Sequence, residues 1–351
     1  MYQSFDNIEI EAISSCVPKQ IIKNDFFSDL LEGKDLRMFE KTVGIYERRW
    51  SDDDVTASDL AFKAIENLFI STDIDKDDIK CLLFVSQTSD YKIPFTSNIL
   101  QDRLGLSNDL MCLDINAGCA GFIQGISTAY SILNSLADGK VLLVIAETLS
   151  KILSPNDRST TMLFGDAASA LIISKSERKS NSYLNMFSDG KNFSAIQIPD
   201  GGYRSPFSKS SLDNKLKENG GFANNVNLEM DGPKVFDFTL REVSNGVVDL
   251  FEHFKIDKNK IDYFLFHQSN KFIISQISNQ LGLVKEKVLF NIQSFGNTSG
   301  VSLPLLISSN KNIFEGKLHR LLLSGYGSGL TWGNVVLEIN SNAIFSEIVE
   351  Y

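Results

Sequence analysis

Hydrophobic and polar residues follow two different spacings along this chain. Consecutive apolar residues, as in residues 81–85 and 141–146, predict strands that are buried on both faces of a sheet. Apolar residues three or four positions apart, as in residues 122–136, predict amphipathic helices. Because the two patterns alternate, we expect an α/β protein with a mainly parallel sheet that helices cover on both faces.

An internal repeat divides this pattern into two halves. The segment IDKDDIKCLLFV at residues 74–85 matches IDKNKIDYFLFH at residues 256–267 without gaps. Leu-Gly-Leu begins at residues 104 and 281, and Gly-Lys precedes an apolar run at residues 139 and 316. A period of half the chain indicates duplication of one α/β unit. We therefore predict two similar halves packed together, residues 1–172 and residues 173–351.

Composition and charge exclude several classes of protein. The chain has 351 residues, 43% of them hydrophobic, and a formal net charge of −10. An acidic chain without a basic stripe is not expected to bind nucleic acid. The sequence contains no apolar run of transmembrane length and no secretory signal, so we expect no membrane partner and a cytoplasmic location. The four scattered cysteines fit neither a disulfide framework nor a zinc site.

Three polar residues occupy strand ends or corners in the two repeats. Cys119 lies in INAGCAGF, after the second strand of the first copy. Asn297 lies at the matching corner of the second copy, in QSFGNTSG, and His267 ends that copy's first strand, where the first copy has Val85. Ligand sites of α/β proteins lie beyond strand ends, so we expect these three side chains to converge.

The types of these residues point to acyl chemistry. Helical spacing after Cys119 predicts that its sulfur lies at a helix N-terminus, which would lower the thiol pKa and offer backbone N–H groups to an oxyanion. A thiolate that accepts an acyl group divides one difficult transfer into two easier ones. His267 and Asn297 could then donate two hydrogen bonds to one carbonyl oxygen and stabilise an enolate.

Each of these residues, taken singly, has a simpler interpretation. Cys119 could be a small core residue, His267 a structural histidine and the Asn-Thr-Ser-Gly run a turn. Their corresponding places in a repeat favour the functional interpretation. The glycine-rich GYGSGLTWG at residues 325–333 precedes a strand-like run, whereas a dinucleotide-binding motif must open a helix. We expect instead a tight turn that approaches the cysteine and offers a backbone N–H.

From about residue 9 to residue 339 the chain resembles the 3-ketoacyl-acyl-carrier-protein synthase III group of thiolase-like ketosynthases. The motifs that carry the resemblance are VGIYERR, IPFTSNILQDRLGL, DINAGCAGF, NDRSTTMLFGDAASA, FHQSN, FGNTSG and GSGLTWG. The resemblance implies an αβαβα thiolase fold, a homodimer, and a decarboxylative Claisen condensation that needs no cofactor and no metal. Its substrates would be an acyl-coenzyme A or acyl-carrier thioester and malonyl-acyl-carrier protein, in fatty acid or polyketide synthesis.

The resemblance also implies roles for individual residues. Cys119 would take the primer acyl group, while His267 and Asn297 would hold the malonyl thioester carbonyl during loss of carbon dioxide. The backbone N–H groups of Cys119 and Ser328 would form the oxyanion hole. Ile93 stands where the family often has a phenylalanine that reaches into the neighbouring subunit's acyl pocket.

The residues that would bind coenzyme A or the carrier depart from the family pattern. The lead-in LRMFEKTVGI has no tryptophan and has Thr42 at the place of an arginine, and Pro233 replaces an asparagine. Arg158 and Asn270 are retained, and Lys271 is the one positive residue in the helix expected to dock the carrier. The polar insertion at residues 203–221 is either a solvated loop or a substitute docking or lid element.

Two other functions are compatible with the same sequence. The cysteine could transfer an acyl group to an amine, alcohol or sugar without forming a carbon–carbon bond, although that chemistry has less need of Asn297. A thiolase-like subunit could also act as a non-catalytic partner of another ketosynthase. That role predicts loss of the nucleophile, and Cys119 is present. The sequence therefore favours a ketosynthase that is a specialised relative of the enzymes initiating fatty acid synthesis.

Overall fold

The computed structural model describes residues 1–217 and 221–351, which form five layers of alternating helix and sheet. The α-helices are α1 (Gly33–Thr42), α2 (Ala57–Ile70), α3 (Thr96–Leu104), α4 (Gly121–Ser135), α5 (Gly232–Phe238), α6 (Ser244–Phe254), α7 (Lys271–Gln280), α8 (Ile292–Phe295), α9 (Ser302–Ser309) and α10 (Lys311–Phe314). A π-helical turn, Thr239–Val243, joins α5 to α6. No helix in the described part of the chain is long and apolar enough to cross a bilayer.

The strands form two principal sheets and three short two-stranded pairs among the described residues. In chain order they are β1 (Tyr2–Asp6), β2 (Ile8–Val17), β3 (Ile21–Lys23), β4 (Glu47–Arg49), β5 (Ile79–Val85), β6 (Met111–Ile115), β7 (Lys140–Glu147), β8 (Ala167–Lys175), β9 (Asn181–Ser188), β10 (Ile196–Gln197), β11 (Lys215–Leu216), β12 (Phe222–Ala223), β13 (Glu229–Met230), β14 (Tyr263–Phe266), β15 (His319–Gly327), β16 (Thr331–Ile339), β17 (Ile344–Phe345) and β18 (Val349–Glu350).

Three hydrophobic clusters define the layers. The middle cluster joins α4 and α9 to the inner faces of both sheets, through residues such as Phe122, Leu143, Leu306 and Leu323. A second cluster packs α2 and α3 on the outer face of the first sheet, and a third packs α6 and α7 on the outer face of the second. Burial of both sheet faces explains the continuous apolar runs, and the αβαβα layering agrees with the fold class expected from the sequence.

Strand direction agrees with the sequence-based expectation in the first sheet but not in the second. The first sheet has the order β17-β2-β8-β7-β5-β6, with β18 also on β2, and it mixes parallel and antiparallel neighbours. The second sheet, β1-β9-β16-β15-β14, has one parallel pair, β14 with β15. The expectation of a mainly parallel sheet holds for the first sheet, in which four of six neighbouring pairs are parallel. It is wrong for the second sheet, where direct connections such as the tight turn between β15 and β16 make neighbours antiparallel.

The repeat nevertheless appears in the arrangement of the elements. In the first half β5 lies beside β7 and β7 beside β8, and in the second half β14, β15 and β16 follow the same order. The terminal strands cross between sheets, since β1 joins the second sheet and β17 and β18 join the first. The division between residues 172 and 173 falls inside β8 and stays a prediction.

The insertion at residues 203–221 is only partly within the described chain, since residues 218–220 lie outside it. Its described part includes β11, which pairs with β12. Beside it, the backbone N–H of Phe222 donates to the carbonyl of Asn156 at 3.1 Å, and the Ser154 hydroxyl donates to the Phe222 carbonyl. The insertion is thus attached to the segment that follows β7, and its function stays a prediction.

The two halves approach closely where the loop after α8 meets the start of α4. A Cβ atom added to Gly300 would lie 2.8 Å from the carbonyl oxygen of Gly118 and 3.2 Å from Ile145. Real Cβ atoms do not approach a backbone oxygen so closely. Glycine at residue 300 is therefore required for the loop that carries Asn297 to lie against the segment that carries Cys119.

Gly300→Ala is expected to destabilise the protein by about 2 kcal/mol, the usual cost of adding a methyl group to a well-packed site. Urea unfolding followed by circular dichroism would measure the change. Gly202→Ala is the matched control, because a Cβ at that glycine meets no atom within 4 Å. Equal stability of the two variants would show that the two halves are not in the contact described.

Candidate active site

Cys119 lies in the turn that leads into α4, and the small residues around it leave room for a second chain segment. The helix begins at Gly121 with Ala120 as its N-cap, so the sulfur is close to the helix N-terminus, as the sequence predicted. A Cβ added to Gly327, at the end of β15, would lie 2.5 Å from the Cys119 Cβ and 3.0 Å from its Sγ. The Ser299 hydroxyl donates to the Cys119 Sγ at 3.7 Å. Both halves of the chain therefore enclose the sulfur.

His267 follows β14 and is held by the first turn of α9. Its Nδ1 lies 2.7 Å from the hydroxyl oxygen of Ser302, which also accepts from the backbone N–H of Gln268 at 3.4 Å. The Ser302 hydroxyl can donate its proton to Nδ1, and in that tautomer the ring's own proton is on Nε2. Burial lowers the pKa of His267 to about 3, and a hydrogen bond with the Ser299 backbone offsets part of this effect. The imidazole is therefore neutral at physiological pH, and in the tautomer in which Ser302 donates to Nδ1 it can donate from Nε2.

Asn297 is held by backbone contacts with the segment before β8. Its N–H donates to the Leu163 carbonyl at 2.8 Å, and its own carbonyl accepts from Gly165 at 3.0 Å. The side-chain Oδ1 accepts from the Ser299 N–H at 2.9 Å, which leaves the amide N–H as the donor for a ligand oxygen. Asn297 is almost fully buried, at 6% exposure, so its orientation is fixed before substrate binds.

These three residues line one cavity of about 200 Å³, together with Asn270 and Ser328. Most of the remaining lining is apolar and includes Leu149, Leu163, Phe164, Ile196, Leu228 and Met230. The convergence of Cys119, His267 and Asn297 from different strand ends and corners is what the repeat predicted. A thiol and two neutral donors in an apolar cavity suit transfer of an acyl group followed by stabilisation of an oxyanion.

The pKa of the Cys119 thiol is shifted in the opposite direction to the one expected from the sequence. Burial raises the pKa of the Cys119 thiol to about 11, the Ser299 hydrogen bond lowers it in part, and the nearby Glu147 carboxylate raises it further. The helix N-terminus was expected to lower this pKa. Loss of hydration outweighs that effect because residues of both halves pack around the sulfur, although Cys119 stays partly exposed to the cavity. The resting cysteine is a thiol at neutral pH.

Of the four residues expected to bind the substrate or its carrier, one lies at the cavity and three lie on the surface. Asn270 lines the cavity and caps α7, where its side-chain oxygen accepts from the N–H groups of Phe272 and Ile273. Arg158, Lys271 and Ile93 do not line it and are exposed. Lys271 packs its side-chain carbons against Gly44, in the VGI segment. Their roles in binding stay predictions.

Sequence reasoning missed two polar residues beside the sulfur, Gln87 and Glu147. Gln87 lies two residues beyond the end of β5 and lines the cavity, and Glu147 ends β7 with 0% exposure. The repeat could have indicated Gln87, since the same offset that relates Val85 to His267 relates it to Ser269, which also lines the cavity. For Glu147, the signal in the sequence was a single acidic residue at the end of an apolar run.

Comparison with known proteins agrees with this geometry. The family model for 3-oxoacyl-[acyl-carrier-protein (ACP)] synthase III matches residues 113–190, and the model for its C-terminal part matches residues 251–339. A β-ketoacyl-[acyl-carrier-protein] synthase III of Streptococcus agalactiae is 34% identical over 337 residues, which cover 94% of this chain and 99% of the relative. Cys119 lies in the first matched region, and His267 and Asn297 lie in the second.

Solved structures of synthases of this kind share the fold over nearly the whole chain. A 3-oxoacyl-(acyl-carrier protein) synthase of Burkholderia xenovorans superposes with a TM-score of 0.93 at 33% identity, covering 99% of this chain and 98% of that one. The β-ketoacyl-[acyl carrier protein] synthase III of Thermus thermophilus gives 0.81 at 30% identity, covering 95% and 99%.

The fold and the site together define an acyltransferase of the thiolase-like ketosynthase class. The chain belongs to the 3-oxoacyl-acyl-carrier-protein synthase III family. The family, the thiolase-like fold and the enzymatic class predicted from the sequence are thereby confirmed. The same relationship favours condensation over simple transfer to an amine, alcohol or sugar, and it does not favour a non-catalytic subunit.

The raised pKa of Cys119 predicts how its reactivity depends on pH. Below its pKa a thiol is protonated, so alkylation of Cys119 by iodoacetamide is expected to accelerate about tenfold per pH unit from about pH 7 to pH 10. Intact-protein mass spectrometry would measure the rate. Cys119→Ala provides the background from Cys112, which is partly exposed. A rate that levels off by pH 8 would mean that the helix N-terminus, and not burial, controls the thiol.

Proposed function

We propose that this protein condenses an acyl group carried on Cys119 with a malonyl thioester, releasing carbon dioxide and a 3-ketoacyl thioester. The observation that carries the proposal is the shared cavity of Cys119, His267 and Asn297 in a chain of the 3-oxoacyl-acyl-carrier-protein synthase III family. The named relatives act with an acyl carrier protein, and we propose malonyl-acyl-carrier protein as the extender here. A resident cofactor has no part in the proposed steps.

The first step transfers the acyl group to the cysteine. The Cys119 thiol loses its proton and attacks the carbonyl carbon of an acyl thioester, and the carrier leaves as a thiol. Backbone N–H groups of Cys119 and Ser328 would stabilise the tetrahedral oxyanion, and one such donor contributes roughly 3 kcal/mol. The closeness of Gly327 to the sulfur supports this assignment, because Ser328 is the next residue.

The second step forms the carbon–carbon bond. The malonyl group loses carbon dioxide, and the enolate that results accepts hydrogen bonds from His267 Nε2 and the Asn297 amide. Its α-carbon attacks the Cys119 thioester, the carbon–sulfur bond breaks, and the thiolate that leaves takes up one proton from water. A neutral histidine suits this role because a low pKa keeps it a donor without placing a charge in an apolar cavity.

The cavity lining supports an apolar primer. Leu149, Phe164 and Leu228 belong to one buried cluster on the cavity wall. Burial of methylene groups against such a wall contributes about 0.8 kcal/mol for each group. We therefore propose a fatty acyl primer. Coenzyme A and an acyl carrier protein are both possible sources, which the next experiment separates.

Intact-protein mass after incubation with acyl-coenzyme A or acyl-carrier protein tests both steps. Wild-type protein should gain one acyl group from the correct donor, and Cys119→Ala should gain none. Asn297→Ala should still be acylated but should form 3-ketoacyl product at least about a hundredfold more slowly, because one enolate donor is lost. If Cys119→Ala and the wild type made equal product from malonyl-acyl-carrier protein, the proposed function would be wrong.

We also propose a homodimer, on the basis of the exposed edge of the first sheet. β6 ends that sheet, and Ile93, on the neighbouring loop, is 81% exposed. An unpaired strand edge and an exposed isoleucine are features that a second copy would cover. The cytoplasmic location predicted from the sequence stays a prediction.

Ile93→Asp is expected to weaken this dimer, because association would bury its carboxylate. Light scattering should give twice the chain mass of 39.1 kDa for the wild type and a lower average for the variant. Ile70→Asp is a matched control, since Ile70 is 83% exposed at the end of α2. A monomeric wild type would contradict the proposal, as would an Ile93→Asp protein that dimerises as well as Ile70→Asp.

A further inference from the structure

A side-chain hydrogen bond links the first half of the chain to the turn that borders the sulfur. Gln87 Nε2 donates to the Ser328 hydroxyl oxygen at 3.1 Å. The Gln87 amide also lies over Gly118, the residue before the nucleophile, where any Cβ would collide with its Oε1. Gln87 is thus in contact with the segments on both sides of the Cys119 sulfur.

The buried carboxylate of Glu147 holds the backbone of Gln87 in place. Its N–H donates to both oxygens of Glu147, at 3.1 and 3.2 Å, and the Thr88 hydroxyl donates to the same carboxylate at 2.7 Å. The Thr88 hydroxyl oxygen in turn accepts from the Thr148 N–H at 2.9 Å. Glu147 therefore fixes the loop that carries the Gln87 side chain.

Ser328 lies at a position that gains from such support. It begins the turn between β15 and β16, and turn backbones are less restrained than the strands they connect. Oxyanion stabilisation requires a donor within hydrogen-bond distance of the place where charge develops, and small displacements of such groups are costly. A hydrogen bond from the opposite half restrains Ser328 without occupying its backbone N–H.

We propose that Gln87 is a positioning residue for acyl transfer, which holds Ser328 beside Cys119 while Glu147 fixes the backbone of Gln87. The inference rests on the proposed function, in which the Ser328 N–H serves the acyl-enzyme oxyanion. It assigns Gln87 no contact with the enolate, which His267 and Asn297 bind. Loss of Gln87 therefore slows acylation of Cys119 and the attack of the enolate on the acyl-enzyme, because both steps place an oxyanion at the Ser328 N–H, and it leaves loss of carbon dioxide from the malonyl group nearly unchanged.

A double-mutant cycle between Gln87→Ala and Ser328→Ala tests the coupling. Each variant keeps the Ser328 N–H but breaks the side-chain bond, and each should lower the acylation rate about tenfold, less than loss of an oxyanion donor itself. The double variant should be no slower than either single variant, because both remove the same interaction. Additive losses, or an unchanged acylation rate in Gln87→Ala, would overturn the proposal.

Glu147→Gln tests whether Glu147 acts on acylation through the backbone of Gln87. It keeps the side-chain size but replaces one acceptor oxygen with a donor group, so it should slow acylation less than Gln87→Ala does. In the Gln87→Ala background it should cause no further loss. A loss of the same size in both backgrounds would show that Glu147 acts independently of Gln87.

Gln3→Ala is the matched control, because it removes another glutamine–serine hydrogen bond, in which the Ser127 hydroxyl donates to Gln3 Oε1 outside the cavity lining. It should leave acylation unchanged, and thermal unfolding should show whether either glutamine variant loses stability. A loss of stability with normal acylation in Gln87→Ala would indicate a structural role alone. If wild-type protein accepted no acyl group from any donor, the proposed function itself would fail, whereas normal acylation of both wild type and Gln87→Ala would refute only the role of Gln87.

Discussion

The site depends on the close approach of two backbones at Cys119. Gly300 lies against the Gly118 carbonyl and Gly327 lies against the Cys119 Cβ, so residues of the second half bound the sulfur on two sides. No side chain beyond hydrogen fits at either glycine. The duplication supplies two similar sheets, but it is these contacts that bring the corner of one copy into register with the strand ends of the other.

The resulting enclosure has opposite consequences for the two main chemical groups. It keeps His267 neutral, which suits a hydrogen-bond donor to an enolate, and it raises the pKa of Cys119, which makes the resting sulfur a poorer nucleophile. A site more open to water would give a more reactive thiol, but it would also expose the enolate to protonation. The arrangement favours protection of the enolate, and acylation then depends on groups that stabilise charge as it develops.

The sequence predicted those features that leave a local or periodic signal. The repeat located Cys119, His267 and Asn297, and the apolar spacing located α4 and both outer helix layers. It could not predict the crossing of the terminal strands, because pairing of β1 with β9 depends on contacts between distant residues. The repeat and the apolar run could have drawn attention to Gln87 and Glu147, but the contacts of Gln87 with Ser328 and of Glu147 with the Gln87 backbone form only after the layers pack. The pKa of Cys119 depends on enclosure by both halves, which no local pattern records.

The two helices of the middle layer explain how a cysteine that rests as a protonated thiol can still take part in acyl transfer. α4 begins two residues after Cys119, and α9 begins at Ser302, which holds His267. A helix N-terminus carries about half a positive elementary charge, so both helix ends oppose protonation of the histidine and favour an anion between them. In the resting site this field opposes the loss of hydration that raises the pKa of the Cys119 thiol, and the loss of hydration is the larger effect. Once an acyl chain has displaced water from the cavity, the effective dielectric constant falls and the same field becomes stronger. The helix ends therefore act mainly on the oxyanion and the enolate, which exist only while substrate fills the cavity.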